Sequence, residues 1–176
     1  MTTSAPNPRK FLITLGLKDE HLLLIGNTTA HWSVIEWMLM RIIESLLPTG
    51  PKEARILAVG MGAVEKIKVA RLLALQRLPE GNKRAILLFT LNMVDQARAD
   101  RNDIAHGIWT VDKDDGKLHL MGYRGGRNDI NRIKGKPKPI ETADLERIFW
   151  NVKTSLDLLL SWREKHHPDV EVHTEE

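Results

Sequence analysis

Apolar residues recur at three- and four-residue steps before Gly107, a spacing that places them on one face of an α-helix. The residues that share this face are Leu87, Leu91, Val94, Ala97, Ile104 and Ala105. Gly107 suits the left-handed C′ position at which many helices end. The spacing therefore predicts a long helix over about residues 82–106, with one face packed in a protein core.

Three further segments have the same helical period and end at proline or glycine. In the second of them, Gly60 and Gly62 lower the helix propensity, which fits either a closely packed neighbour or a bend. The first segment carries an apolar stripe wide enough to be buried on more than one side. With the segment described above, the predicted helices cover residues 19–47, 52–78, 82–106 and 142–165.

Two short alternating runs, residues 108–111 and 117–121, flank the sequence Asp114-Asp115-Gly116, which is typical of a β-hairpin turn. We therefore expect an all-α protein, an up-and-down bundle of four long helices with a small β-hairpin inserted before the last helix. The expected domain organisation is a flexible N-terminus (1–10), a helical domain (11–167) and a flexible acidic tail (168–176).

The composition limits the classes of function. A chain of 176 residues with 42% hydrophobic and 28% charged residues is typical of one soluble domain. Cysteine is absent, which excludes disulfides and thiolate metal sites. No apolar run reaches the length of a membrane span, and no signal peptide is recognisable. We expect a cytoplasmic protein with no membrane partner, no metal and no cofactor. A net charge of +3 permits a nucleic-acid partner.

The end of the helix predicted over 82–106 carries the candidate site. Arg101 falls near the middle of the apolar face, where a permanent cation needs an anion, a carboxylate or a wet groove beside it. His106 falls in the last turn and can carry a proton near neutral pH. Five helical residues correspond to about 140° of rotation, so the two side chains converge only because Arg is long and His is near the terminus. In the alternative interpretation the two residues have only structural roles: Arg101 pairs with Asp100 or Asp103, and His106 interacts with the helix C-terminus.

Arg101, Asn102 and His106 resemble the Arg-polar-x-x-x-His motif of the HEPN superfamily (higher eukaryote and prokaryote nucleotide-binding domains). The resemblance covers the helical body, and its specific part is the heptapeptide 101–107. Many members are metal-independent ribonucleases that act as homodimers, whereas others only bind. The resemblance implies an endoribonuclease with Arg101, Asn102 and His106 as catalytic residues. The alternative is a catalytically inactive dimeric module that binds nucleic acid or a partner protein.

The mechanism that follows needs no metal, because RNA supplies its own nucleophile, the 2′-hydroxyl. His106 carries the proton, Arg101 stabilises charge on the phosphate, and Asn102 orients the phosphate or His106. Since one histidine does not easily act as acid and base at once, two motifs facing each other in a dimer would supply both. Some relatives are toxins, so a toxin or defence role with an antitoxin or other protein partner is a further expectation. Ile108 replaces the tyrosine that is modified in some of those relatives.

A basic segment between Gly122 and Pro139 carries a single acid, Asp129. Clustered cations on a Gly- and Pro-rich loop can follow an RNA backbone, and a tyrosine beside them can stack on a base. The alternative is a solvated surface loop. The candidate RNA-binding residues are Tyr123, Arg124, Arg127, Arg132, Lys134, Lys136 and Lys138.

Overall fold

A computed structural model describes residues 17–112, 117–121 and 138–166. It confirms the helical bundle and the small hairpin before the last helix. The expected flexible ends, 1–10 and 168–176, lie outside the described residues. The helices are α1 (Asp19–Leu46), α2 (Pro51–Val59), α3 (Ala63–Arg77), α4 (Asn82–His106) and α5 (Thr142–His166), and an antiparallel sheet is formed by β1 (Ile108–Val111), β2 (Leu118–Met121) and β3 (Lys138–Pro139).

The segment predicted as one helix over 52–78 forms two helices, α2 and α3. Gly60 follows the last residue of α2, and Gly62 precedes the first residue of α3. A Cβ added to Gly60 would meet no described atom within 4 Å, so close packing is not the reason for a glycine there. The helix breaks because two glycines in three residues remove the local preference for helical geometry.

Helix α1 is the centre of the core and packs against all four other helices. Its residues Trp32, Ile35, Met38, Leu39, Ile42 and Ile43 are at most 1% exposed. On α4 the predicted apolar face is buried at Leu87, Leu91, Val94, Ala97 and Ile104. Ala105 is exposed, contrary to its assignment to that face, although it has the same helical angle as Leu87; it lies in the last turn of α4.

Helices α1 and α5 run in the same direction. Near their starts, His21 Nε2 lies 3.0 Å from the hydroxyl oxygen of Thr142. Near their ends, Arg163 Nη1 lies 4.0 Å from the sulfur of Met38. The parallel arrangement is possible because α2, α3 and α4 all intervene in the chain between α1 and α5.

Helix α4 runs antiparallel to α5. Arg147 Nη1 donates to Asp100 Oδ2 at 3.3 Å, and Trp162 Nε1 donates to the carbonyl oxygen of Lys83 at 3.0 Å. The C-terminal end of α4 therefore lies at the same end of the bundle as the N-terminal ends of α1 and α5. The sheet follows α4 directly, so it lies at this end too.

Gly107 joins α4 to β1 and does not have the predicted left-handed conformation. Its φ of −73° and ψ of 153° describe an extended backbone. A Cβ at this position would overlap with the backbone oxygen of Asp103 and with the Cδ1 of Leu120 on β2. Glycine is needed here because the hairpin returns so close to the end of α4, and not because of the backbone angles.

Candidate catalytic site

Arg101 lies at the boundary between the core and the solvent. Its guanidinium carbon is 5.7 Å from the centroid of the Trp32 ring on α1, a distance at which the cation is attracted to the face of the indole. Its Nη1 donates to Asn102 Oδ1 at 3.2 Å. The structure thus brings Arg101 and Asn102 together, with the guanidinium half-buried against an aromatic side chain.

Trp32 also binds a carboxylate. Its Nε1 donates to Glu36 Oε1, one helical turn further along α1, at 2.8 Å. Burial lowers the pKa of Arg101, and the negative charge of Glu36 acts in the opposite direction. Trp32 is 1% exposed and Glu36 is half-buried, so both belong to the wall of the site. Sequence reasoning assigned neither residue to the site, although their i, i+4 spacing allows such a hydrogen bond.

The structural alternative for Arg101, pairing with Asp100 or Asp103, is not observed. Asp100 instead binds Arg147 across the α4–α5 contact. Within the described ranges, Asp103 and Arg101 form no ion pair, and the buried Nε of Arg101 has no hydrogen-bond partner. The buried Nε is closed to an incoming anion, but Nη2 is not enclosed and also donates to no described acceptor, so the guanidinium keeps an N–H group that an anion can bind.

His106 is the last residue of α4 and is exposed. In the part of the chain that the structure describes, its ring forms no hydrogen bond, ion pair or ring contact. Since α4 is continuous, the side chains of His106 and Arg101 leave the helix about 140° apart. The fold of a single chain thus places His106 at the same helix end as Arg101 and Asn102, with no hydrogen bond from its ring to either residue.

Of the predicted RNA-binding residues, only Lys138 lies in the described part of the chain. It is exposed on β3 and pairs with Leu120 of β2, the strand that also approaches Gly107. Lys138 is therefore at the same end of the bundle as His106. The other candidates lie outside the described residues: Tyr123, Arg124, Arg127, Arg132, Lys134 and Lys136.

No family model matches this chain, and neither a curated protein nor a solved structure matches it. Within residues 17–112, 117–121 and 138–166, no three His, Asp or Glu side chains are grouped to hold a metal ion, and no helix has the length and apolarity needed to cross a bilayer. Function is therefore inferred from the chemistry of the side chains at the end of α4.

Proposed function

We propose that the protein is a metal-independent endoribonuclease of the HEPN type. The observation that carries the proposal is the half-buried guanidinium of Arg101, which binds Asn102 and forms no ion pair with any described residue, on the same helix end as an exposed histidine. A desolvated cation with available donors suits a phosphate diester, and a solvent-accessible imidazole suits proton transfer. The resemblance of residues 101–107 to the HEPN motif supports the same assignment.

The reaction is a transesterification within the RNA. The 2′-oxygen attacks the adjacent phosphorus and forms a new bond to it, while the bond from phosphorus to the departing 5′-oxygen breaks. One proton leaves the 2′-hydroxyl and one reaches the 5′-oxygen, so the products are a 2′,3′-cyclic phosphate and a free 5′-hydroxyl. Arg101 stabilises the charge that builds up on the phosphate oxygens, and His106 carries a proton.

A second copy of the chain completes the site in this proposal. Attack and departure each need a proton transfer, and one imidazole does not readily perform both in the same step. Arg101 and His106 also leave α4 in different directions. A two-fold dimer with the ends of both α4 helices near its axis would place two histidines and two arginines around one phosphate.

The test is cleavage of mixed RNA in EDTA by the wild type, His106→Ala and His166→Ala, purified identically. His166 is a matched control because it is also the last residue of a long helix. We expect the wild type and His166→Ala to leave cyclic phosphate ends, and His106→Ala to be at least about 100-fold slower. Equal rates for wild type and His106→Ala would remove His106 from the mechanism. Absence of EDTA-resistant cleavage by the wild type would favour the binding module.

A further inference from the structure

Three side chains from two helices form a connected unit beside the candidate phosphate contact. Trp32 donates its indole N–H to Glu36 Oε1 at 2.8 Å and presents its ring to the guanidinium of Arg101 at 5.7 Å. Trp32 is fully enclosed by the core, which fixes the position of its indole. We call this unit the Trp32–Glu36–Arg101 cluster.

The arrangement of Glu36 relative to Arg101 is unusual for a neighbouring carboxylate and guanidinium. Such groups ordinarily form a close, often bidentate ion pair. Here no oxygen of Glu36 lies within 4.0 Å of a guanidinium nitrogen of Arg101, although the negative charge of Glu36 still acts to raise the pKa of Arg101. The indole N–H occupies Oε1 of Glu36 and so restrains the carboxylate.

We propose that Trp32 holds Glu36 away from Arg101, so that the guanidinium donors stay available to a phosphate group of a single-stranded RNA. Glu36 then compensates the charge of the half-buried arginine from a distance while the site is empty, without occupying the donors that the phosphate needs. Trp32 and Glu36 are positioning residues that set the anion affinity of Arg101. The identification of the anion as an RNA phosphate rests on the proposed function.

The proposal predicts opposite effects for two neighbouring substitutions. Trp32→Phe keeps a ring under Arg101 but removes the indole N–H, which frees Glu36 to pair with Arg101 and compete with the phosphate. Glu36→Gln keeps an oxygen acceptor for Trp32 but removes the competing negative charge. Combining them should therefore restore binding, because no carboxylate remains to be restrained.

The experiment measures binding of a 2′-O-methyl RNA oligonucleotide by fluorescence anisotropy at fixed salt. This probe resists cleavage because its 2′-oxygen is blocked. We expect Trp32→Phe to raise the Kd about 10-fold, which corresponds to about 1.4 kcal/mol. We expect Glu36→Gln to lower the Kd about 3-fold, because the bound phosphate is no longer repelled by the negative charge of Glu36. The double variant should bind within about 2-fold of Glu36→Gln.

Trp162→Phe is the matched control. Trp162 is also buried, also donates its indole N–H, and also has a cation over its ring. It belongs to α5, however, and lies beside Lys83 at the N-terminal end of α4, far from Arg101. Its substitution should leave the Kd within about 2-fold of the wild type. An equal loss of binding in Trp162→Phe, or a double variant that binds no better than Trp32→Phe, would show that Trp32 acts only through stability and would overturn the proposal.

Three further outcomes are decisive. If thermal unfolding shows that Trp32→Phe does not fold, Glu36→Gln decides alone: tighter binding supports the proposal, and unchanged or weaker binding overturns it. If the double variant regains binding but the wild type does not cleave RNA, the proposed ribonuclease function is wrong and the inference about Trp32 and Glu36 still holds. No binding of the probe by the wild type would overturn the inference, whereas cleavage of unmodified RNA would still support the proposed function.

Discussion

Arg101 and His106 lie five residues apart on one continuous helix and face about 140° apart, the first half-buried over Trp32 and the second exposed. A phosphate bound by Arg101 and a proton carried by His106 of the same chain would therefore lie on different sides of α4. This relationship is the physical reason for expecting two copies of the chain around one phosphate.

The first prediction concerns the assembly. We expect light scattering at micromolar concentration to give twice the 20.0 kDa mass of the chain, because the proposed site is complete only in a two-fold dimer. A protein that cleaves RNA with EDTA present while remaining monomeric over the same concentration range would refute the shared site and require both proton transfers within one chain.

The second prediction concerns the charge and shape of Arg101. Arg101→Ala should slow cleavage by about 100-fold or more, through loss of transition-state stabilisation. Arg101→Lys should recover only part of that loss, because an ammonium keeps the charge but not the planar fork. Arg98→Ala is the control, since Arg98 is one turn away and already paired with Asp95 at 2.9 Å. Initial rates measured in EDTA test this, and a fully active Arg101→Ala enzyme would contradict it.

The third prediction concerns the basic segment. Replacing Lys134, Lys136 and Lys138 by Gln should weaken RNA binding and reduce the slope of log K against log salt, by about one for each phosphate that a lysine no longer neutralises. Turnover at saturating RNA should persist. A second triple variant removes the same charge from exposed lysines elsewhere, at Lys52, Lys68 and Lys165. If both triple variants have the same affinity for RNA and the same salt slope, the basic segment makes no specific contribution to RNA binding.

The fourth prediction concerns Gly107. Alanine there should lower the free energy of unfolding by about 1–3 kcal/mol, the usual effect of forcing an extra methyl group into a packed position. The added Cβ would overlap with Asp103 and Leu120. Gly60→Ala is the control: its backbone is in the right-handed helical region and a Cβ has space, so stability should be unchanged or slightly higher. Urea unfolding measures both, and an unaffected Gly107→Ala protein would show that β2 does not pack closely on α4.

The fifth prediction concerns pH. Burial, and then the positive charges of Lys83 and Lys165, lower the pKa of His166 from its ordinary value of 6.5. The unfolded chain therefore binds more protons than the folded protein in the range just below that value, and stability falls as the pH falls. His166→Gln should reduce the decrease in melting temperature between about pH 7.5 and pH 5. A decrease identical to that of the wild type would indicate that the ring is as solvated in the folded state as in the unfolded state.

Much of the bundle could be predicted from the sequence because its causes are local. A helix that buries one face must repeat apolar residues every three or four positions, and α1, α4 and α5 do so within a few residues of their observed ends. The turn sequence Asp114-Asp115-Gly116 similarly indicated the hairpin between β1 and β2. At Gly60 and Gly62 the low helix propensity was visible in the sequence, but the sequence did not show whether it would produce a bend or the complete break between α2 and α3.

The candidate site likewise has one part that the sequence indicated and another part that depends on tertiary packing. Arg101, Asn102 and His106 are neighbours in sequence, so their residue types and spacing alone made them candidates. The part played by Trp32 and Glu36 depends on α1 packing against α4, and the role of Gly107 depends on Leu120 returning from the hairpin. These contacts join residues far apart in the chain, and their existence is decided by how buried surfaces fit together, which no local period or propensity encodes.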